Sequence, residues 1–329
     1  MRRVTVLGDG GWGTCLATLL AAGGNPVVLW SAFPQYAAEI QRRRENIKFL
    51  PGVPIPTSVK ITARLQEAWE GAEVLVVAVP SQYLREVLKR CEGAPWDRAL
   101  TVSVVKGIEP NTLLRMSELI RSAAPVKRLV VLSGPSISYE VARGVPTTVV
   151  AASQDPALAQ EAQALFTTEQ FRVYTSADVV GVELGGALKN VIAIASGVAD
   201  GLKFGANTKA ALVTRGLVEI SRLGVAMGAR VETFYGLSGL GDLVTTCFSP
   251  HSRNRTVGEK LGQGAAMIDI TTGMEQVAEG MVTAKSVDAL ARKHKVEMPI
   301  CSAVYQLLYE GKSPNEAVRD LMLRDPKPE

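Results

Sequence analysis

One lysine interrupts a helical segment that is otherwise apolar. Residues 179–199 are apolar or small on nearly every side, which predicts a helix buried in the middle of the structure. Lys189 lies on a face that also carries Gly185, Gly186 and Ser196. A buried ammonium is costly unless it is paired, and burial favours the neutral amine that accepts protons. Lys189 is therefore the candidate general acid/base; the alternative is a lysine that reaches solvent from the helix surface.

A glycine-rich turn that ends in a carboxylate follows at residues 236–242, GLSGLGD. Asp242 has two functional interpretations, because it can pair with Lys189 or accept a hydrogen bond from a substrate hydroxyl. Aspartate is also a favoured helix N-cap, and the sequence leaves these roles open.

Residues 249–255, SPHSRNR, combine hydroxyls, an amide and two arginines just before a helical run. The start of a helix with such side chains is suited to bind a phosphate. A charge-assisted arginine contact contributes about 1.5 to 3 kcal/mol, against roughly 0.3 to 1 kcal/mol for the helix dipole. We therefore expect Arg253 or Arg255 to dominate the affinity, unless the segment is only a capped surface helix.

The elements that position these groups begin at residues 4–14, VTVLGDGGWGT. An apolar β-branched run leads directly into Gly8, Gly10 and Gly13, which have the spacing G-x-G-x-x-G. Between a strand and a helix, this spacing is typical of a dinucleotide-binding turn. The alternative is a sharp turn without a ligand.

The end of the second predicted strand, residues 27–30, bears on the cofactor. An enzyme that uses NAD usually carries an acid about 20 residues beyond the glycines, for the ribose 2′-hydroxyl. Ser31, Ala32 and Phe33 follow the strand instead, so no carboxylate repels a 2′-phosphate and no arginine attracts one. The sequence predicts NADP or NAD, with NADP slightly favoured.

Further β-branched runs predict strands at residues 73–79, 100–105, 128–132, 147–151 and 171–174. Residues 50–56 are rich in proline and are expected to form an irregular loop. The alternation of strands and helices predicts an α/β fold, with a Rossmann-like, doubly wound, mostly parallel sheet. Helical segments follow, which predicts a dinucleotide-binding domain at 1–176 and an all-helical substrate and catalytic domain at 177–329.

Two of these strands end in polar groups, where open α/β sheets bind ligands. Lys106 follows the strand at 100–105, and residues 133–136, SGPS, follow the strand at 128–132. The alternatives are a solvated lysine and an ordinary turn.

The composition excludes several classes. The net charge of +4 is spread over 329 residues with 5% aromatics, which disfavours nucleic-acid binding. Four scattered cysteines and two histidines form no ligand cluster, so no metal is expected. The apolar strand runs are too short to span a membrane and no signal peptide is expected, which predicts a cytoplasmic protein. The oligomeric state is open, and a homodimer is one assembly the sequence allows.

Together these segments resemble the prokaryotic-type NAD(P)-dependent glycerol-3-phosphate dehydrogenases over essentially the full length. The resemblance rests on motifs in the order of that family: GDGGWGT (8–14), KGIE (106–109), SGPS (133–136), GGALKNVIAIASG (185–197), GLGDLVTTC (239–247) and SRNRTVG (252–258).

The resemblance implies reversible reduction of dihydroxyacetone phosphate to sn-glycerol 3-phosphate, a phospholipid precursor, with Lys189 as the acid/base for the C2 oxygen. It implies these substrate-binding residues: Lys106, Gly134, Ser136, Lys189, Asp242, Ser252, Arg253 and Asn254. The expected cofactor contacts are Gly8, Gly10, Gly11, Trp12, Gly13, Ala32, Lys106, Ser138, Arg253, Val277 and Glu279.

The chain departs from the family at Gly11, where serine or alanine is common, and at Ser138, where alanine is common. The residues after the second strand also replace a basic or histidine-containing stretch. The alternatives are a related 3-hydroxyacid or 6-phosphogluconate-like dehydrogenase, or a non-catalytic NAD(P)-binding sensor. Lys189 and Asp242 disfavour the sensor. The SRN segment, residues 252–254, favours a short phosphate ester.

Overall fold

The computed structural model describes residues 1–272, 274, 278–326 and 328. Its strands are β1 Val4–Leu7, β2 Val27–Trp30, β3 Glu45–Asn46, β4 Leu50–Pro54, β5 Lys60–Thr62, β6 Val74–Val77, β7 Leu100–Ser103, β8 Arg128–Ser133, β9 Thr147–Ala152 and β10 Phe171–Ser176. Its helices are α1 Gly11–Ala22, α2 Pro34–Arg43, α3 Leu65–Trp69, α4 Leu84–Arg90, α5 Met116–Ala123, α6 Ser138–Ala142, α7 Pro156–Phe166, α8 Val179–Gly201, α9 Ala206–Ala226, α10 Val231–Phe234, α11 Asp242–Phe248, α12 Arg253–Gly262, α13 Met267–Thr272, α14 Glu279–His294, α15 Pro299–Tyr309 and α16 Pro314–Met322.

The chain divides into two compact units. The first unit comprises Met1–Lys106 and Leu114–Glu183, and the second comprises Gly107–Leu113 and Leu184–Glu329. Within the second unit, the Ser286 hydroxyl donates a hydrogen bond of 3.1 Å to the carbonyl oxygen of Ile108. This bond ties the short segment 107–113 to α14. The predicted domain boundary after residue 176 stays a prediction, and no sequence pattern indicated that residues 107–113 belong to the second unit.

The first unit is built on an eight-stranded sheet in the order β10-β9-β8-β7-β6-β1-β2-β5. Every neighbouring pair is parallel except β8 and β9, which are antiparallel. The order reverses at β1, so the loops after β1, β2 and β6 lie at the edge where such folds bind dinucleotides. The predicted fold class is confirmed.

The central strands β1, β2, β6 and β7 are buried on both faces, as parallel strands require. Val4 and Val6 of β1 pack with Leu16 of α1 on one face. Leu7 packs with Leu84 of α4 on the other. Because successive side chains of β1 face opposite sides of the sheet, packing on both faces holds the strand from which the glycine turn begins.

The prediction of an irregular loop at residues 50–56 is wrong. Residues 50–54 form β4, which pairs antiparallel with β3 in a separate two-stranded sheet. Prolines are compatible with this sheet because both of its strands are edge strands. Leu50, Val53 and Ile55 are buried in the core of the first unit, so the segment is apolar for a structural reason.

Helix α8, which carries Lys189, is buried over most of its length. By length and composition it could cross a membrane, but 83% of its most apolar window is buried inside the protein, which is typical of a core helix. The glycines of α8 allow the backbone of a neighbouring helix to approach closely. A Cβ atom at Gly197 would overlap the carbonyl oxygen of Arg255, and one at Gly258 would overlap that of Ile194. Helices α8 and α12 therefore pack backbone against backbone, which positions the start of α12.

Candidate active site

The glycine turn between β1 and α1 has the backbone geometry that its spacing predicts. Gly8 has φ +118°, and a Cβ atom there would lie 2.7 Å from the carbonyl oxygen of Ala78. A Cβ atom at Gly13 would overlap the carbonyl oxygen of Gly8, whereas Gly10 faces open space with no atom within 4 Å of such a position. Gly8 makes the turn, Gly13 lets the helix pack on the strand, and Gly10 leaves room for a ligand.

The start of α1 fits the pyrophosphate of a dinucleotide. Gly10 is the N-cap, and no side chain among the described residues caps the helix. The first backbone N–H groups of a helix need acceptors, and together with the helix dipole they favour an anion. Open space at Gly10 and uncapped N–H groups coincide, so the residues present fit NAD or NADP.

The two family departures near the turn lie next to each other. A Cβ atom at Gly11 would lie 2.6 Å from the carbonyl oxygen of Phe49 and 3.2 Å from the Ser138 hydroxyl. The larger residue at position 138 thus fills space beside the smaller residue at position 11. Trp12 is half-buried, with its ring centroid 6.3 Å from that of Phe171, so it also packs β10 against α1.

Asp9, the second residue of the turn, is 7% exposed, and the preceding Gly8 donates a backbone hydrogen bond of 3.1 Å to the carbonyl oxygen of Trp30 at the end of β2. Burial raises the pKa of Asp9, and the Ser31 side chain and the charge of Lys48 lower it by less. Asn46 Nδ2 donates to the backbone oxygen of Asp9 at 2.6 Å. The predicted cofactor residue Ala32 is half-buried and follows Ser31 directly.

A second group in the first unit lies at the ends of β7 and β8. Lys106 Nζ donates to the carbonyl oxygen of Gly134 at 3.2 Å, and the Ser136 hydroxyl donates to the same oxygen at 2.9 Å. Gly134 has φ +143°, and a Cβ atom there would lie 2.9 Å from the Cα of Val149. The structure therefore brings together the three predicted substrate residues of this unit.

In the second unit, Lys189 is 6% exposed and pairs with Asp242, which is 1% exposed. Lys189 Nζ also donates to the Thr246 hydroxyl at 2.7 Å, and that hydroxyl donates to the backbone oxygen of Asp242 at 2.6 Å. Asp242 thus pairs with the lysine rather than serving as an N-cap. A buried ammonium with a carboxylate and a hydroxyl is held in one position, as proton transfer requires.

The turn before Asp242 determines where the Asp242 side chain lies. Leu237–Gly241 is one π-helical turn, a feature often found at functional sites. A Cβ atom at Gly185 of α8 would overlap the carbonyl oxygen of Ser238 in this turn. The small residues around Lys189 therefore admit this protein backbone, which brings Asp242 to the lysine.

The SRN segment begins α12. Ser252 is its N-cap, and its hydroxyl accepts a hydrogen bond of 3.3 Å from the Arg255 backbone N–H. Arg253 is exposed at the first helical position. Arg255 Nε donates to Asp200 at 2.6 Å, and Lys209 Nζ lies 2.8 Å from the same carboxylate. Of the two arginines offered by the sequence, Arg255 is held in a structural ion pair.

Asn254 links the starts of α12 and α14. It is 8% exposed, and its Oδ1 accepts a hydrogen bond of 2.9 Å from the Gly280 backbone N–H. The predicted cofactor residue Glu279 is the first residue of α14 and is half-buried. Val277 lies outside the described residues. Among the described residues, no group of three or more His, Cys, Asp or Glu is suited to hold a metal ion.

Sequence reasoning missed two residues of these groups. Thr246 follows Asp242 by four residues, so the i,i+4 spacing on α11 was the available signal. Asp9 lies between the first two glycines of the turn, and an acid that binds the ribose is expected after β2 instead.

The sheet order, the glycine turn and the buried lysine define a class, the dehydrogenases that use NAD or NADP. Two family models match the chain: the N-terminal part of NAD-dependent glycerol-3-phosphate dehydrogenase over residues 3–159, and its C-terminal part over residues 178–319.

Similar proteins point to the same family. The chain is 50% identical to a glycerol-3-phosphate dehydrogenase [NAD(P)+] of Prosthecochloris aestuarii, covering 99% of both chains. It is also 50% identical to one of Geobacter sulfurreducens, covering 99% of this chain and 98% of the other. The crystal structure of glycerol-3-phosphate dehydrogenase from Coxiella burnetii superposes with a TM-score of 0.94 at 37% identity, covering 98% and 99% of the chains. The chain belongs to the family of NAD(P)-dependent glycerol-3-phosphate dehydrogenases.

Proposed function

We propose that the protein interconverts dihydroxyacetone phosphate and sn-glycerol 3-phosphate, with Lys189 as the general acid/base. The observation that carries the role of Lys189 is its buried pairing with Asp242 and Thr246. An ammonium with both of these partners has a fixed position and a local charge balance. Membership of the family supports the substrate.

When bound, the nicotinamide cofactor supplies the hydride that C2 of dihydroxyacetone phosphate accepts. In this direction Lys189 donates a proton to the C2 oxygen, and solvent then returns a proton to Lys189. In oxidation, Lys189 takes the proton from the C2 hydroxyl. Asp242 and Thr246 hold the ammonium nitrogen in place. The ketone, NAD(P)H and one proton thus yield the alcohol and NAD(P)⁺.

Two groups of residues are assigned to the substrate on the resemblance. Lys106, Gly134 and Ser136 offer an ammonium, backbone groups and a hydroxyl at the ends of β7 and β8. Ser252, Arg253 and Asn254 offer the start of α12, where backbone N–H groups and a guanidinium suit the phosphate. Arg253 is assigned most of the affinity for phosphate because it is exposed at the first position of α12. Arg255 is assigned a structural role because it pairs with Asp200.

The cofactor is assigned mainly to the glycine turn, which fits its pyrophosphate. These residues form the proposed cofactor contacts: Gly8, Gly10, Gly11, Trp12, Gly13, Ala32, Lys106, Ser138, Arg253 and Glu279. Val277 is part of the proposal on the resemblance alone.

The decisive experiment follows the oxidation of NADH and NADPH with dihydroxyacetone phosphate, and with dihydroxyacetone as the matched control without phosphate. Turnover only with the phosphate ester supports the proposal. Equal rates on both ketones would contradict the assignment of a phosphate site, and no turnover on either would contradict the activity.

The proposal includes a biological setting. The product supplies the glycerol backbone of phospholipids, and the expected location is the cytoplasm. A homodimer stays a prediction, and sedimentation of the purified protein tests it.

A further inference from the structure

Asp9 brings a carboxyl group to a strand end where the sequence places no acid. Gly8, the residue before Asp9, donates a backbone hydrogen bond of 3.1 Å to the carbonyl oxygen of Trp30, the last residue of β2. In sheets with this strand order, an acid at the end of the second strand binds the adenosine ribose of NAD. Asp9 reaches that position from the neighbouring turn between β1 and α1.

One oxygen of this carboxyl group lacks a donor. Asp9 Oδ2 is buried and has no hydrogen-bond partner among the residues that the structure describes. The nearby amide of Asn46 is already used, since its Nδ2 donates to the Asp9 backbone oxygen at 2.6 Å and to the Thr14 hydroxyl at 2.7 Å. A buried oxygen without a donor is costly, and a ligand hydroxyl would supply the missing hydrogen bond.

The basic residues that flank Asn46 in the sequence suit a hydroxyl better than a phosphate. Arg44 is used by the backbone, because it donates to the carbonyl oxygens of Pro56 and, at 2.9 Å, Val59. Arg43 pairs with Glu39 at 2.9 Å. Lys48 is the one of these cations whose charge acts on the Asp9 carboxyl. A 2′-phosphate would therefore face the carboxylate of Asp9, with the charge of Lys48 already partly offset.

We propose that Asp9 accepts a hydrogen bond from the adenosine 2′-hydroxyl and makes the protein prefer NAD(H) over NADP(H). The inference rests on the proposed function for the presence of a nicotinamide cofactor. It reverses the slight preference for NADP that the missing acid after β2 indicates.

Equilibrium binding tests this assignment directly. The full chain is titrated with NADH, with NADPH and with NADH that lacks the adenosine 2′-hydroxyl, and the quenching of tryptophan fluorescence is followed. A hydrogen bond to a charged group corresponds to about 10-fold or more in affinity. We expect the unaltered protein to bind NADH about 10-fold more tightly than either other dinucleotide. Asp9→Ala should bind all three with similar affinity.

Two variants separate charge from structure. Asp9→Asn keeps a hydrogen-bonding group but removes the charge, so NADPH should bind about 10-fold more tightly than it does to the unaltered protein. Glu39→Gln removes the same charge from α2, at a carboxylate that pairs with Arg43, and should leave the ratio of affinities unchanged.

Three results would overturn the proposal. The first is tighter binding of NADPH than of NADH by the unaltered protein. The second is an Asp9→Ala variant that keeps all three original affinities, and the third is one that loses affinity for all three dinucleotides by the same factor, which indicates a structural role. Turnover of dihydroxyacetone phosphate is assayed in parallel. If the unaltered protein turns over dihydroxyacetone phosphate but Asp9→Ala leaves the ratio of NADH to NADPH affinities unchanged, only this inference is contradicted. If the ratio changes but no turnover is seen, only the proposed reaction is contradicted.

Discussion

Gly8, Gly10 and Gly13 in the first unit contribute no side chains, whereas Lys189 and Asp242 in the second unit contribute a buried ammonium and a buried carboxylate. In the glycine turn, backbone N–H groups and open space are available because side chains are missing. In the lysine centre, charged groups are stable inside the protein because each has partners. Added atoms should therefore impair folding or cofactor binding at the glycine turn. Removed atoms should impair catalysis at Lys189 and its partners.

Removal of the amine should have the largest effect. Lys189→Ala takes away the group proposed to move the proton, and general acid/base catalysis contributes about 10²- to 10⁴-fold to a rate. We expect kcat to fall by that factor while the Kd of NADH stays close to its original value, measured by steady-state kinetics and fluorescence titration. A Lys189→Ala variant with ordinary kcat would remove the lysine from the mechanism.

Arg253 in the SRN segment and Arg255 directly after it should separate binding from folding. Arg253→Ala should raise the KM for dihydroxyacetone phosphate by about 10- to 100-fold, since a charged hydrogen bond contributes about 1.5 to 3 kcal/mol. Arg255→Ala breaks the pair with Asp200 and should mainly lower the midpoint of thermal unfolding. If Arg255→Ala raised the KM as much as Arg253→Ala, the division of roles would be wrong.

Added methyl groups test the glycine turn. Gly13→Ala forces a Cβ atom into the carbonyl oxygen of Gly8, and overpacking of this kind costs about 1 to 3 kcal/mol of unfolding free energy. Gly10→Ala meets no protein atom, so it should fold normally but bind NADH more weakly. The control is Gly205→Ala, which also meets no atom within 4 Å and should change neither property. Normal NADH binding by Gly10→Ala would show that the open space is not part of the cofactor site.

A buried carboxylate of the second unit should affect stability through pH. Glu219 of α9 accepts hydrogen bonds from the backbone N–H groups of Ile300 and Cys301, at 2.8 and 3.1 Å. Burial raises the pKa of Glu219 to about 6 from 4.5, against the lowering effect of these hydrogen bonds. Between these two values the folded protein binds more protons than the unfolded chain, so the free energy of unfolding should fall as pH rises.

The expected decrease is about 2 kcal/mol, from 1.36 kcal/mol per pKa unit. Urea unfolding at a series of pH values, compared between the unaltered protein and Glu219→Gln, isolates this contribution because the other titrating groups are shared. The difference in unfolding free energy between the two proteins should vary between about pH 4.5 and about pH 6 and be constant above. A difference that does not depend on pH would show that Glu219 titrates alike in both states.

The smallest effect is expected at Thr246. Thr246→Val removes the hydroxyl that accepts from Lys189 Nζ but keeps the shape of the side chain, so kcat should fall by about 3- to 10-fold. The pH profile of kcat should shift as well, because a positioning group changes how readily the lysine exchanges its proton. Thr246→Ser should restore both, and an unshifted profile would leave Thr246 with a structural role only.

The sequence was most informative where short-range rules decide the structure. The limits of β2 and the first residue of α8 were predicted correctly, since β-branched runs and an apolar helical segment carry those signals. The glycine roles followed from spacing alone. β5 was missed because three residues give too little pattern, and β4 because its prolines indicate a loop unless the strand is known to lie at an edge.

Contacts between residues far apart in the chain could not be predicted from the sequence. Lys189 and Asp242 are separated by 53 residues, and the close packing of Gly185 against the π-helical turn helps to bring them together. The sequence accordingly left Asp242 with several roles. Arg253 and Arg255 were equivalent in the sequence, and the difference between them depends on Asp200, a residue on another helix.

The segment 107–113 bears on how such a protein can be divided. Because these residues belong to the second unit while residues on both sides of them belong to the first, no single cut in the gene separates the units. A fragment that starts at residue 184 would lack Ile108, the acceptor of the Ser286 hydroxyl, and a fragment that ends at residue 183 would carry the segment without its partners. Recombination between homologous genes at one junction would exchange a hybrid of both units. The interleaved path of the chain therefore favours genes in which both units are inherited together.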